Sequence, residues 1–185
     1  MTSIASRTGG WRGGSHVRRV VFDEETIARR VKELGGEITR AFPDGDLLVV
    51  GALKGSFIFL SDLVRAIDRP LQVDFLVATS YGPEKVSSGA VRLLYDPSVS
   101  IEGRHLLLVE DIIDSGRTLR CLLDLLQVRG PKSLSVCALL DKQLMPSRPS
   151  EIRFVGFPAP KAFLVGYGLD YAEEYRHLSF IADLG

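Results

Sequence analysis

The sequence contains little cysteine. Only two of its 185 residues are cysteines, Cys121 and Cys137, and both lie in apolar stretches without a partner motif. A disulfide framework or a thiol-bound metal cluster needs more cysteines at defined spacings. The sequence therefore argues against a disulfide-stapled secreted module and fits the reducing environment of the cytoplasm.

Excess charge and long apolar runs are absent as well. Lys plus Arg and Asp plus Glu number 23 each, so the net charge is zero. No global attraction to nucleic acid or to an anionic membrane follows from such a balance. No apolar run approaches the roughly 20 residues that cross a bilayer, and the N-terminus lacks the order of a signal peptide. We therefore expect a cytoplasmic protein with no nucleic-acid partner and no membrane partner.

The remaining composition is that of one globular domain. Hydrophobic residues make up 45% and charged residues 25% of the chain, enough for one substantial core. Residues 1–16 are rich in Gly, Ser and Arg and show no periodicity, which predicts a disordered N-terminal tail. Residues 17–185 are expected to form a single domain.

Four apolar runs without polar alternation predict strands that are buried on both faces. They span residues 47–53, 73–80, 105–111 and 134–140. Apolar stripes at helical spacing predict helices from Asp23 to Pro43, from Ser56 to Ile67 and from Thr118 to Val128. This order predicts an α/β fold with a mostly parallel sheet flanked by helices, in which ligands bind beyond the carboxyl ends of the strands.

The segment from Leu106 to Leu119, LLLVEDIIDSGRTL, carries the strongest chemical signal. An apolar strand delivers two acids, Glu110 and Asp111, and an Asp-Ser-Gly-Arg-Thr turn then leads into a helix. Backbone N–H groups and hydroxyls at a helix N-terminus bind phosphate, and a glycine there permits its close approach. Carboxylates just before the turn can accept hydrogen bonds from a ribose diol. The segment therefore predicts a monophosphate cradle beside a ribose site.

Two common phosphate motifs are missing from this segment. It is neither a Walker A loop nor a G-x-G-x-x-G turn, which argues against an ATPase or a nicotinamide-binding enzyme. Taken singly, Glu110, Asp111 and Asp114 are typical loop acids or helix caps. Their combination after a strand and before a helix favours the ribose-phosphate interpretation.

The run VEDIIDSGRT resembles the phosphoribosyl pyrophosphate motif of the type I phosphoribosyltransferases. From about Val20 to the C-terminus, the chain resembles the hypoxanthine-guanine branch of that family. The resemblance implies the type I phosphoribosyltransferase fold, with a small hood subdomain built mainly from residues of about 154–185. It also implies transfer of the 5-phosphoribosyl group to N9 of hypoxanthine or guanine, with Mg2+ as cofactor and a homodimer or homotetramer as the assembly.

The resemblance carries substrate and metal roles onto residues of this chain. The ribose, phosphate and pyrophosphate are assigned to Leu53, Lys54, Gly55, Ser80, Tyr81, Glu110, Asp111, Ser115, Gly116, Arg117, Thr118 and Arg176. Ser80 and Tyr81 belong to the segment 79–89, TSYGPEKVSSG, which resembles a mobile lid. Asp170 is expected to bind Mg2+, with Glu110 or Asp111 reaching a second ion.

The base is assigned to a second group of residues. Lys142, in LLDKQ at 139–143, resembles the lysine that reads the oxygen at position 6 of the purine. Phe163 is expected to stack on the base, and the Leu164 backbone to meet its far edge. Asp114 is the candidate catalytic residue, which hydrogen bonds the purine near N7 and takes its proton. By itself, Phe163 would be interpreted as a core aromatic residue.

The sequence departs from the family pattern at the base pocket. Lys161 and Ala162 stand where an acid and then a charged or polar residue are frequent, and Leu164 replaces a common valine. These positions bear on the ranking of hypoxanthine, guanine and xanthine. The alternatives are a xanthine, adenine or uracil phosphoribosyltransferase, a regulatory RNA-binding homologue, and a structural protein that only retains the sheet.

Overall fold

A computed structural model describes residues 17–80 and 91–185. The predicted tail at 1–16, Tyr81 and most of the predicted lid lie outside these residues. The strands of the described part are β1 (Arg19–Phe22), β2 (Leu47–Leu53), β3 (Gln72–Ser80), β4 (Val91–Tyr95), β5 (His105–Ile113), β6 (Ser133–Asp141), β7 (Ile152–Pro158), β8 (Leu164–Val165) and β9 (Ile181–Asp183). The helices are α1 (Glu24–Ala41), α2 (Phe57–Ala66) and α3 (Arg117–Gln127).

The main sheet has six strands in the order β4-β3-β2-β5-β6-β7. The neighbouring pairs β3-β2, β2-β5, β5-β6 and β6-β7 are parallel. β4 lies at the edge of the sheet and is antiparallel to β3. Alternate residues of the central strand face opposite layers: Leu107 and Val109 pack with α1 and α2, whereas Leu106 and Leu108 pack with α3. The predicted α/β fold, a mostly parallel sheet covered on both faces, is confirmed.

Helix boundaries follow local chemistry. The carboxylate of Asp23 accepts a hydrogen bond from the Thr26 amide at 2.8 Å, so α1 begins one residue later, with Glu24 and Glu25 in the first turn. The helix ends at Ala41, before Pro43. Among the described helices, none is long and apolar enough to cross a membrane.

A second, smaller sheet lies outside the main one. Its antiparallel order is β1-β9-β8, so it combines strands from both ends of the described chain. Residues 154–158, which were expected in the hood, belong instead to β7 of the main sheet. The reason is that Ile152 and Phe154 are buried on alternate positions while the backbone of β7 pairs with β6. β1, β4 and β7 were not predicted as strands.

A buried carboxylate fixes the edge of the main sheet. Asp74 on β3 is 5% exposed and accepts hydrogen bonds from the amides of Phe75, Ser98 and Val99 at 2.7 to 2.9 Å. Burial by itself raises the pKa of this carboxyl, but the hydrogen bonds outweigh it and hold the pKa below its usual value of 3.8. Asp74 thus ties β3 to the loop that follows β4.

We predict that Asp74→Asn lowers the free energy of unfolding by about 1–3 kcal/mol at neutral pH, because hydrogen bonds to a buried charge are lost. A carboxyl whose pKa is lowered in the folded state stabilises the fold at pH values above 3.8, its usual pKa. This stabilisation is lost as the pH falls through the folded-state pKa. Chemical denaturation from pH 7 to pH 3 should therefore show the deficit shrinking. Asp68→Asn, at an exposed position, should stay within about 0.5 kcal/mol of the parent. A deficit of the same size at every pH would contradict the assignment.

Candidate active site

The carboxyl ends of β2, β5 and β6 meet at one edge of the main sheet, and the loops that follow them form the site. Parallel pairing aligns Gly51 of β2 with Val109 of β5, and Ile113 of β5 with Asp141 of β6. The loop after β5 encloses a cavity of about 220 Å³, lined by Glu110 and residues 112–119. The predicted phosphate cradle is therefore a concave pocket at the N-terminus of α3.

Gly116 gives this loop its shape. It is buried, has φ +73°, and directly precedes α3. A Cβ at this position would lie 2.4 Å from Cε of Met145, so both the backbone conformation and the space favour glycine. The first turn of α3 receives no side-chain cap from Gly116. The N–H groups of this first turn are therefore available to an anionic ligand, beside the exposed Ser115 and Thr118.

Two carboxylates approach the pocket from β5. Glu110 and Asp111 lie within the strand, which continues to Ile113 rather than ending at 111 as predicted. Burial raises the pKa of the Glu110 carboxyl well above its usual value, and the charge of Asp111 adds to this effect. Burial also raises the pKa of Asp111, against the lowering effects of a hydrogen bond from the Ile112 amide and of the Arg176 charge. The charged forms of this pair are therefore disfavoured unless a cation or hydrogen-bond donors stabilise them.

The loop after β2 packs directly on Asp111. A Cβ on Gly55 would lie 1.7 Å from Oδ2 of Asp111, so only glycine permits this approach. The Leu53–Lys54 peptide bond that leads into the loop is cis. This loop therefore places Gly55 directly against the Asp111 carboxylate.

A charge cluster borders the same loop. Arg176 Nη2 lies 2.8 Å from Oδ1 of Asp170 and 3.2 Å from Oε2 of Glu173. Lys54 Nζ lies 3.1 Å from the same Glu173 oxygen. Hydrogen bonds from Lys54 and Arg176 hold the pKa of Glu173 below its usual value. Of the described residues, none accepts a hydrogen bond from the buried Nε of Arg176.

The two residues assigned to the proton and to the 6-oxo group are in direct contact. Lys142 Nζ lies 3.0 Å from Oδ2 of Asp114. The turn that carries Lys142 is anchored by the fully buried Asp141, which accepts hydrogen bonds from the Gln143 amide at 2.8 Å and from Arg148. The Lys142 amide also donates to the Ile113 carbonyl at 3.0 Å. The backbone on both sides of the Asp114–Lys142 pair is therefore fixed.

The Phe163 side chain lies at the protein surface, whereas the side chain of the adjacent Leu164 lies in the core. Phe163 is 51% exposed, so it is not a core aromatic, and its ring meets Tyr171 edge-on at 5.6 Å. Leu164 is buried in the main core, which leaves only its backbone for a ligand. A cavity of about 530 Å³ joins Phe163 to Lys142. It is also lined by Arg18, Leu144, Lys161, Ala162, Asp183 and Gly185.

The structure thus gathers most of the predicted site at one sheet edge, in two neighbouring groups. Ser80 ends β3, but its side chain, like Tyr81, is outside the described part. Three contributors were missed by sequence reasoning: Met145 over Gly116, Tyr171 beside Phe163, and Glu173 between two cations. Their positions depend on turns that carry no recognisable motif, with Glu173 itself at φ +66°.

The carboxylates suit a magnesium ion that is shared with a substrate. Within residues 17–80 and 91–185, no three His, Cys, Asp or Glu side chains converge as a ready-made metal site. Mg2+ in phosphate enzymes takes one or two carboxylates and completes its shell with water and phosphate oxygens. Asp170 meets this requirement, because each of its oxygens makes one hydrogen bond or ion pair and retains a lone pair.

Comparisons with known proteins agree with this geometry. The model of the phosphoribosyl transferase domain matches residues 20–172. The hypoxanthine-guanine phosphoribosyltransferase of Bacillus subtilis is 46% identical over 168 residues, which cover 91% of this chain and 93% of the relative. The enzyme of that name from Dictyostelium discoideum is 45% identical over 171 residues, covering 90% and 95%.

Solved structures show the same likeness in three dimensions. A hypoxanthine phosphoribosyltransferase from Staphylococcus aureus superimposes with a TM-score of 0.88 at 39% identity, covering 96% of each chain. A hypoxanthine-guanine phosphoribosyltransferase from Bacillus anthracis, with a HEPES molecule in its active site, gives 0.86 at 42% identity over 91% of this chain and 99% of that one. The chain belongs to the phosphoribosyltransferase family, in its hypoxanthine-guanine branch.

Proposed function

We propose that this chain is a purine salvage enzyme that transfers the 5-phosphoribosyl group of phosphoribosyl pyrophosphate to N9 of hypoxanthine or guanine. The products are IMP or GMP and pyrophosphate. The observation that carries the proposal is the 3.0 Å contact of Lys142 with Asp114, directly beside the phosphate loop. It supports the assignment of Lys142 to the base and of Asp114 to its proton, beside the loop assigned to the phosphate.

The phosphoribosyl half of the substrate fits the larger group of residues. The 5-phosphate is held by the N–H groups and hydroxyls of the loop Ser115–Thr118, and Glu110 and Asp111 accept from the ribose hydroxyls. Lys54 and Arg176 stabilise the pyrophosphate, which gains negative charge as it leaves. The Leu53–Lys54 peptide and Gly55 line the same subsite, with Ser80 and Tyr81 assigned to its cover.

Asp170, with Glu110 or Asp111 at a second position, would hold Mg2+. Bound there together with substrate oxygens, the ion supplies charge neutralisation for the leaving pyrophosphate. The protein's own cations, Lys54 and Arg176, act on the same charge.

The base half fits the smaller group. The ammonium of Lys142 donates to an oxygen at position 6 but cannot accept from an amino group there, so it selects 6-oxopurines over adenine. Phe163 offers an exposed ring face for stacking, and the backbone of Leu164 faces the far edge of the base. Asp114 accepts the N7 proton while Lys142 holds the same carboxylate in place.

The reaction exchanges one bond at C1 of the ribose for another. The bond from C1 to the pyrophosphate oxygen breaks with its electron pair leaving on that oxygen, and N9 of the purine supplies the pair for the new bond. Positive charge develops on the sugar, close to the carboxylates of Glu110 and Asp111, while Asp114 removes the surplus proton. Alignment of two substrates in one cleft accounts for much of the rate.

The assembly and the location of the protein complete the proposal. Half-exposed apolar side chains on β3, β4 and the start of α2 offer a surface for a second copy, in a homodimer or homotetramer. They are Phe57, Val73, Phe75, Leu94 and Tyr95. Sedimentation as a monomer at micromolar concentration would contradict this. The proposed location is the cytoplasm, because a chain with only two cysteines lacks the disulfide framework typical of small secreted domains.

A panel of bases tests the proposed function. Purified protein, Mg2+ and phosphoribosyl pyrophosphate are incubated in parallel with hypoxanthine, guanine, xanthine, adenine or uracil, and nucleotide formation is followed. We expect product from hypoxanthine and guanine, none from adenine or uracil, and loss of activity on chelation of the metal. Transfer confined to another base would overturn the base assignment. No transfer at all would favour the regulatory RNA-binding alternative.

We predict that Asp114→Asn lowers kcat by about 10²–10⁴-fold with little change in KM, because the amide retains the shape but cannot take the proton. Steady-state kinetics with hypoxanthine check this. Asp124→Asn, at an exposed position on α3, is the matched control and should retain the parent kcat. If kcat of the Asp114 variant equals that of the parent, Asp114 is not the base.

A further inference from the structure

The carboxylate of Glu173 lies between two cations, Lys54 and Arg176, that the proposed function assigns to pyrophosphate binding. A single carboxylate oxygen, Oε2, lies 3.1 Å from Lys54 Nζ and 3.2 Å from Arg176 Nη2. Lys54 comes from the loop after β2, and Arg176 lies 122 positions later in the numbering of the chain. Sequence reasoning gave Glu173 no role.

The position of this oxygen is one that an oxygen of pyrophosphate would take. Carboxylate and phosphate oxygens accept the same charge-assisted hydrogen bonds from lysine and arginine. A bridging oxygen at about 3 Å from both donors leaves no room for a second anion to make the same two contacts. Either Glu173 or the substrate can bridge the pair, but not both.

Glu173 is the partner that is free to move. Its side chain is 65% exposed, so release into water costs little. Its main chain is held separately, because its amide donates to Oδ2 of Asp170 at 3.0 Å. Arg176 is only 18% exposed, and is also bound to Oδ1 of Asp170 and to the Gly168 carbonyl, each at 2.8 Å. The arginine therefore stays in place when the glutamate leaves.

We propose that Glu173 is the resident anion of the pyrophosphate subsite: the substrate's pyrophosphate displaces it on binding, and it bridges Lys54 and Arg176 again when pyrophosphate leaves. This rests on the proposed function, which supplies the anion that exchanges with it. Glu173 is a positioning residue, since it acts through the two cations. In the free enzyme it occupies both cations, and it weakens the binding of pyrophosphate by competing for them.

Glu173→Gln tests the exchange, because the amide removes the competing charge without shortening the side chain. Calorimetric titration of the intact protein with inorganic pyrophosphate and Mg2+ should show Kd falling by about two- to fivefold, the size expected when an exposed ion pair no longer competes. KM for phosphoribosyl pyrophosphate should fall in the same ratio. KM for hypoxanthine should not change.

Two further variants separate the bridge from a general charge effect. Glu174→Gln removes the same charge from the adjacent exposed position and should leave the pyrophosphate Kd at the parent value. Glu173→Asp keeps the charge but is one methylene shorter, so it cannot reach both cations and should bind pyrophosphate more tightly, as the glutamine variant does. Thermal unfolding of each variant establishes that it is folded.

Unchanged or weaker pyrophosphate binding by folded Glu173→Gln would overturn the proposal, as would an equal gain in Glu174→Gln. A purely structural role for Glu173 predicts the weaker binding, because loss of the bridge would disorganise the subsite. The test is separate from that of the proposed function. A wild-type protein that binds pyrophosphate but transfers ribose phosphate to no base would refute the function, while the variant comparison still decides the exchange.

Discussion

The parallel pairing of β5 with β2 and β6 is the constraint on which the rest of the structure depends. It aligns three strand ends at one edge, so the loops that follow them converge although they are distant in sequence. The loop after β2 brings Lys54, the loop after β5 brings the phosphate cradle, and the turn after β6 brings Lys142. A shift of one residue in β5 would exchange the side chains that face its two helical layers and would separate Asp114 from Lys142.

Charge compensation is the second constraint on the site. The chain has no net charge, yet carboxylates and cations are concentrated at this edge and paired with one another. Such pairing keeps opposite charges in place before any substrate is bound. A substrate with phosphate and pyrophosphate groups then exchanges partners with existing pairs rather than meeting bare charges. The charged side chains of the site are therefore positioned when the protein folds. The free energy needed to position them is a cost of folding and not of the catalysed reaction.

Sequence reasoning reached the parts of this arrangement that periodicity and motif encode. The buried strands, the three helices and the cradle around Gly116 follow from apolar runs and from one strand-turn-helix segment. β4 and β7 were missed because their pattern is mixed: β7 alternates buried and exposed positions only at its start. β1 was missed because it is four residues long and is stabilised by pairing with β9, at the far end of the chain. No local signal encodes such a partner.

Glu173 shows the same limit within the site. A glutamate in a turn is by default a solvated side chain. Arg176 is only three residues away in sequence, but only the fold brings Lys54 to Glu173. Phe163 shows the reverse: its type suggests the core, whereas the structure leaves half of it exposed. A long-range contact decides the case of Glu173, and it depends on how the sheet places the loop after β2 rather than on neighbours in sequence.

The most direct test of the account is a crystal structure of the protein with IMP, Mg2+ and pyrophosphate. The account predicts the 5-phosphate on the amides of residues 115–118, the base on Phe163 with its 6-oxygen at Lys142, and pyrophosphate between Lys54 and Arg176. A nucleotide bound elsewhere, such as in the cavity bordered by Phe57 and His177, would contradict the assignment of the site.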